Sequence, residues 1–189
     1  SGTSHILHGN VDRRILIMAT DGFEQSELEV PLKRLTAAGA EVDVASIGTE
    51  DITGWDEDDW GVDVAVDLKI SEALVDNYDA LVLPGGQINP DLLRVDPDAI
   101  ALIKGFAAAG KPVAAICHAP WLLVEAGLAS GRNMTSYKSI RTDVANAGAK
   151  VVDEAVVVDG NIVTSRCPDD LPAFCDAIID AVAEVGAPA

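Results

Sequence analysis

Residues 112–125 read PVAAICHAPWLLVE. The first half is a short, continuous apolar run of the kind that forms a strand buried on both faces. The second half places Pro120 ahead of Trp121, Leu122, Leu123 and Val124, with Gly127 as a stop, and reads as a helix over 118–126. No residues remain between strand and helix for an ordinary loop. Cys117 and His118 therefore sit on a tight strand-to-helix turn, the geometry of a nucleophile elbow. The helix start adds unpaired N–H groups and partial positive charge, which favour a thiolate at Cys117. The competing reading is a buried structural cysteine.

The same alternation extends outward in both directions. Apolar runs at Arg14–Ala19, Val42–Ile47 and Leu81–Leu83 predict further strands. Helical spacing appears over Glu27–Ala38, Ala99–Ala109, Ser139–Ala147 and about Asp169–Val185. Four helices end on Ala-Gly, at 38–39, 109–110, 126–127 and 147–148. Glycine fits the left-handed conformation that follows a helix. Val156–Val158, Asp159-Gly160 and Ile162–Thr164 form a hairpin signal. This order predicts an α/β fold, a mainly parallel central sheet with helices on both faces. Residues 13–189 are expected to form one domain, and residues 1–12 a disordered or tag-like extension. His5 and His8 in that extension read better as solvated residues than as a metal pair. Residues 48–61, with Asp56 to Asp59 between Trp55 and Trp60, read as a solvated acidic loop whose tryptophans suit a subunit contact.

Composition narrows the possible functions. Among 189 residues, 13 are Lys or Arg and 31 are Asp or Glu, a net charge of −18. A nucleic-acid groove needs clustered cations, so direct DNA binding is not expected. Apolar runs fall far short of the ~20 residues that span a bilayer, and no signal-peptide pattern opens the sequence. Three cysteines without metal-ligand spacing suit a reducing compartment, and a cytoplasmic location is expected. No metal and no cofactor motif is evident.

Two other strand ends carry unusual residues. Pro84-Gly85-Gly86 follows Leu83, where glycines let backbone N–H groups approach a ligand, as an oxyanion hole requires. Glu24 lies in Asp21-Gly22-Phe23-Glu24 after the first strand. A carboxyl there is a candidate partner for the Cys117 thiol, protonated if it shares a hydrogen bond with a thiolate. A helix N-terminal carboxylate is the alternative. No histidine follows His118, which argues against a glutamine amidotransferase triad with its late histidine. Any histidine partner must be His118 itself, and Asp91 is a candidate carboxylate to orient it. The other reading of Asp91 is a helix N-terminal residue.

These residues carry a family resemblance along about 14–185. Its motifs are Asp21-Gly-Phe-Glu-Gln-Ser-Glu-Leu, Leu81-Val-Leu-Pro-Gly-Gly, Ala115-Ile-Cys-His-Ala-Pro-Trp, Thr135-Ser-Tyr, Asp143-Val-Ala-Asn-Ala-Gly-Ala, Glu154 to Arg166, and Pro168-Asp-Asp-Leu-Pro-Ala-Phe. The chain resembles the PfpI family, intracellular cysteine peptidase-like proteins within the protein deglycase superfamily. The resemblance implies a flavodoxin-like three-layer sandwich. It also implies a nucleophile at Cys117, a hydrogen-bonding carboxyl at Glu24, and an oxyanion hole from the N–H groups of Gly86 and His118. It further implies a homodimer or larger homo-oligomer in which a neighbour's carboxylate, matched here by Asp91, completes the site with His118. Asp91 stands where Glu is usual, Ala119 where Gly is usual, and Cys167 where small residues or Thr are usual. Cys167 is either a resolving thiol or a bystander.

Three functions remain in view. The first is a stress-protective, cysteine-dependent enzyme of deglycase or glyoxalase type, acting on a small carbonyl or a glycated protein. The second is an intracellular cysteine peptidase. The third is a redox sensor or holdase chaperone without turnover.

Overall fold

A computed structural model describes residues 13–185. The extension with His5 and His8 lies outside the described residues. In chain order the elements are β1 (Arg14–Met18), β2 (Phe23–Glu24), α1 (Gln25–Ala37), β3 (Glu41–Ser46), β4 (Ile52–Asp56), β5 (Asp59–Val64) and β6 (Leu68–Lys69). Then come β7 (Ala80–Leu83), α2 (Ile88–Leu93), α3 (Pro97–Ala108), β8 (Val113–Ile116), α4 (Pro120–Glu125) and β9 (Asn133–Met134). The chain closes with α5 (Arg141–Asn146), β10 (Lys150–Val151), β11 (Val156–Asp159), β12 (Ile162–Ser165) and α6 (Leu171–Val185).

Seven strands form one sheet in the order β11-β12-β8-β7-β1-β3-β6. All its pairs are parallel except the β11–β12 hairpin. That hairpin turns at Gly160, whose φ is 59°. Because strand residues alternate faces, Leu16, Met18, Leu81 and Leu83 enter one core layer under Leu102, Phe106, Leu122 and Leu123 of α3 and α4. Ile15, Ile17, Val82 and Ile116 enter the other, under Leu28 and Leu35 of α1 and Phe174 and Ile178 of α6. The result is the expected three-layer α/β sandwich. From β1 the chain steps to β3 on one side, and β7 then pairs on the other. This change of direction opens a crevice at the carboxyl ends of β1 and β7.

Residues 48–61 differ from the expected loop. β4 and β5 pair as an antiparallel hairpin that β2 extends into a three-stranded sheet. Trp55 and Trp60 are cross-strand partners, their rings edge to face with centroids 5.3 Å apart. The acidic residues hid this hairpin because they occupy its turn, where Glu57 takes a φ of 58°. The helix expected from His118 begins at Pro120, whose missing N–H costs nothing at a helix start. Two other expected helices open with a 3-10 turn, Lys138–Ile140 before α5 and Pro168–Asp170 before α6. All four Ala-Gly stops have glycine at positive φ: Gly39 at 103°, Gly110 at 73°, Gly127 at 74° and Gly148 at 101°.

Candidate active site

β8 ends at Ile116, and the next residue turns back on itself: Cys117 has a φ of 67°, left-handed backbone on a side chain that is not glycine. Such strain persists only where the surroundings hold it. Here Cys117 N–H donates to the Ser165 carbonyl at 3.0 Å, and its own carbonyl accepts from Tyr137 N–H at 2.8 Å. The side chain is 6% exposed. Its sulfur receives the backbone N–H groups of Gly86 and His118. These are the two donors expected for an oxyanion hole.

The loop after β7 is shaped to meet the elbow. At Gly85 a Cβ would fall 2.6 Å from the Cys117 Cβ and 2.5 Å from Glu27 Oε1. At Gly86, where φ is 84°, it would lie 2.3 Å from the Gly22 carbonyl oxygen. Only glycine fits either position. Asn89, fully buried, braces the loop. Its Nδ2 donates to the carbonyls of Pro84 (2.9 Å) and Gly85 (3.1 Å), while its Oδ1 accepts from Thr20 N–H at 2.8 Å.

The carboxyl beside the thiol belongs to Glu27, not to Glu24. Glu27 is fully buried in the first turn of α1. Its Oε1 accepts from Gly85 N–H at 2.9 Å. Its Oε2 has no partner of good geometry, and the Cys117 thiol is the side-chain group that interacts with this carboxyl. Burial, and then the nearby Glu24 charge, push Glu27 up to about 8, so it holds a proton at neutral pH. Glu24 instead stands at the N-cap position of α1, without a side-chain capping bond. Ser26 Oγ donates to its Oε1 at 3.1 Å, and its backbone N–H donates to the Gly85 carbonyl at 3.2 Å. It is half-buried, and burial raises its pKa as well.

Burial and the Glu27 charge raise the Cys117 thiol, while the Gly86 and His118 N–H groups act in the opposite direction. Burial thus works against the thiolate that the helix start favours. When Glu27 is protonated, its charge no longer opposes the thiolate.

His118 lies against the sulfur, with Nδ1 3.1 Å from Cys117 Sγ. Its ring stacks on Tyr137 (centroids 4.6 Å apart) and meets the edge of Trp121 (5.3 Å). Ser139 Oγ faces Nε2 at 3.4 Å. Burial lowers the imidazole pKa, which favours the neutral ring. Adjacent residues at the sharp turn do make contact. Asp91 is exposed in the first turn of α2 and is not brought to His118 within one chain.

The structure thus joins Cys117, His118 and Gly86, replaces Glu24 by Glu27, and adds Tyr137, Ser139 and Asn89. Glu27 was readable as the one acid on the buried stripe of α1, with Leu28, Pro31 and Leu35. Among the described residues no group of three or more His, Cys, Asp or Glu is arranged to hold a metal ion. No helix among them is long and apolar enough to cross a membrane.

The mainly parallel sheet covered on both faces, with a cysteine at positive φ on a strand-to-helix turn, places the chain among α/β sandwich proteins with a strand-to-helix elbow. Within that class the chain belongs to the DJ-1/PfpI family, which it matches over residues 13–181. It is similar to a deglycase of Thermococcus kodakarensis, with 48% identity over 85% of this chain and 94% of the relative. It is also similar to Deglycase PfpI of Pyrococcus furiosus, with 45% identity over the same shares. Among solved structures, Drosophila melanogaster DJ-1beta aligns with a TM-score of 0.82 and 31% identity, covering 93% of this chain and 96% of that one.

Proposed function

We propose that this chain is a cysteine-dependent enzyme of deglycase or glyoxalase type, acting on reactive carbonyls or their early adducts. The observation that carries this reading is the Cys117–Glu27 pair: a strained, shielded thiol beside a carboxyl that holds a proton at neutral pH. Relatives named deglycases support it.

With methylglyoxal the chemistry runs as follows. The Cys117 sulfur forms a bond to the aldehyde carbon, and the carbonyl π pair moves to oxygen, which the Gly86 and His118 N–H groups stabilise. His118 Nδ1, neutral and 3.1 Å from the sulfur, takes the thiol proton. Glu27 donates its proton to the aldehyde oxygen, completing the hemithioacetal, and the carboxylate so formed takes the C–H proton. His118 passes the thiol proton to the ketone oxygen. Glu27, its proton exchanged with solvent, protonates the neighbouring carbon, and the first oxygen's proton returns to Glu27, leaving a thioester. Water then cleaves the C–S bond, releasing lactate and restoring the thiol. The sum is methylglyoxal plus water giving lactic acid, which ionises to lactate and a proton. Peptide hydrolysis fits less well, because His118 has Ser139 rather than a carboxylate at Nε2. The reading includes a homo-oligomer. The exposure of Asp91 beside Ile88, Leu92 and Val95 supports it, with Asp91 as the carboxylate offered to a neighbouring copy.

The test is methylglyoxal consumption in D₂O, with casein and fluorogenic peptides in parallel. Lactate that carries solvent deuterium at C2, with no peptide cleavage, supports the proposal. Peptide cleavage without lactate overturns it.

A further inference from the structure

Asn89 is the second residue of α2 and is fully buried. Its amide fits only one way round. The Thr20 N–H needs an acceptor, and Oδ1 supplies it at 2.8 Å. The carbonyls of Pro84 and Gly85 need donors, and Nδ2 gives one hydrogen to each, at 2.9 and 3.1 Å. Thr20 follows β1, so this amide ties the loop after β7 to the end of β1 across the crevice.

The two carbonyls belong to successive peptide planes. In a planar trans peptide the C=O and the following N–H point in opposite directions, so fixing one end aims the other. The plane with the Pro84 carbonyl carries the Gly85 N–H, which donates to Glu27 Oε1 at 2.9 Å. The plane with the Gly85 carbonyl carries the Gly86 N–H, which donates to the Cys117 sulfur. Glu24 N–H is a second donor to that carbonyl, at 3.2 Å. One side-chain NH₂ thus holds the rear of both peptides whose front ends serve the carboxyl and the thiol. Glycine at 85 and 86 makes this grip necessary. With no Cβ on either side, the plane between them has little of its own to resist rotation. Rotation would turn the Gly86 N–H away and bring the Gly85 carbonyl oxygen toward the sulfur.

We propose that Asn89 is a positioning residue: its Nδ2 aims the Gly85 and Gly86 N–H groups at Glu27 and Cys117 and so sets the reactivity of the thiol. Its own hydrogen bonds reach neither the sulfur nor the Glu27 carboxyl. The inference deepens, and for its kinetic part rests on, the carbonyl chemistry proposed for Cys117.

The first arm of the test needs no turnover. Alkylation of Cys117 by iodoacetamide is followed against pH by peptide-resolved mass spectrometry. Asn89→Leu is close in size and has no polar side-chain atom. A sulfur without the Gly86 N–H holds its proton more tightly, so the profile moves to higher pH by about one unit. It moves in the same direction but less in Asn89→Ala, where a water can enter and donate. The alanine variant carries the test if the leucine variant does not fold. Ile103→Ala, a truncation of a fully buried side chain on α3, lowers stability to urea and leaves the profile in place. An unmoved profile in folded Asn89 variants, or an equal move in Ile103→Ala, overturns the proposal.

The second arm is methylglyoxal consumption. The Asn89 variants lose about tenfold or more in kcat with KM within about twofold of wild type, as expected for a donor that acts on the developing oxyanion. A raised KM at unchanged kcat overturns the proposal. If wild type consumes no methylglyoxal while the alkylation profile moves, the carbonyl reading fails and the positioning role stands. If wild type consumes it and the Asn89 variants match wild type in kcat and in profile, the positioning role fails and the carbonyl reading stands.

Discussion

Glu27 carries a proton that the unfolded chain releases above pH 4.5 and the folded chain keeps to about pH 8. A carboxyl whose pKa rises on folding binds more proton in the native state than in the unfolded one. Its stabilising contribution is full below pH 4.5 and is lost as pH rises through about 8. The difference amounts to at most about 5 kcal/mol. Urea unfolding at stepped pH should therefore show wild type losing stability relative to Glu27→Gln across that window, and a pH-independent difference contradicts the assignment. The two glutamates also separate by thiol chemistry. Glu27→Gln removes the larger charge opposing the Cys117 thiolate, so its iodoacetamide pH profile moves to lower pH. Glu24→Gln, the weakest of the named influences on the thiol, moves it less. Equal shifts would return Glu24 to the role first expected of it. Cys117 itself was legible because strand and helix meet there without a loop. Glu24 was mistaken for the partner because both acids lie on one short motif, and only the buried stripe of α1 tells them apart.

The strands and their stops were legible because buried parallel strands are continuous apolar runs and Ala-Gly marks each helix end. The β4–β5 hairpin was not, because acidic residues occupy the turn between the paired Trp55 and Trp60, and Gly54 packs against the Phe23 ring of a distant segment. The loop after β7 carries the prediction at this scale. Gly86→Ala places a Cβ 2.3 Å from the Gly22 carbonyl oxygen at a φ of 84°. The left-handed backbone alone costs about 1–2 kcal/mol. Displacing the Gly86 N–H removes one oxyanion donor, a loss of about 10²–10³ in kcat. Differential scanning calorimetry and steady-state kinetics read both effects. A variant with wild-type Tm and kcat would show that the loop neither packs on the elbow nor donates to the reacting oxygen.

At the scale of the whole molecule, one chain brings together Cys117, His118, Glu27 and the Gly86 loop, the groups the proposed chemistry uses, at the crevice where the sheet changes direction. What one chain does not assemble is a carboxylate for His118. If Asp91 supplies it from a neighbouring copy, sedimentation velocity should find a homo-oligomer, and Asp91→Ala should lower kcat while the oligomer persists. A monomer with full activity would discard the shared site. The most direct measurement is methylglyoxal consumption by wild type and by Cys117→Ser at equal, verified folding. Consumption by wild type that vanishes in Cys117→Ser is the predicted result. Turnover that survives in Cys117→Ser would contradict the role given to Cys117 and the chemistry built on it.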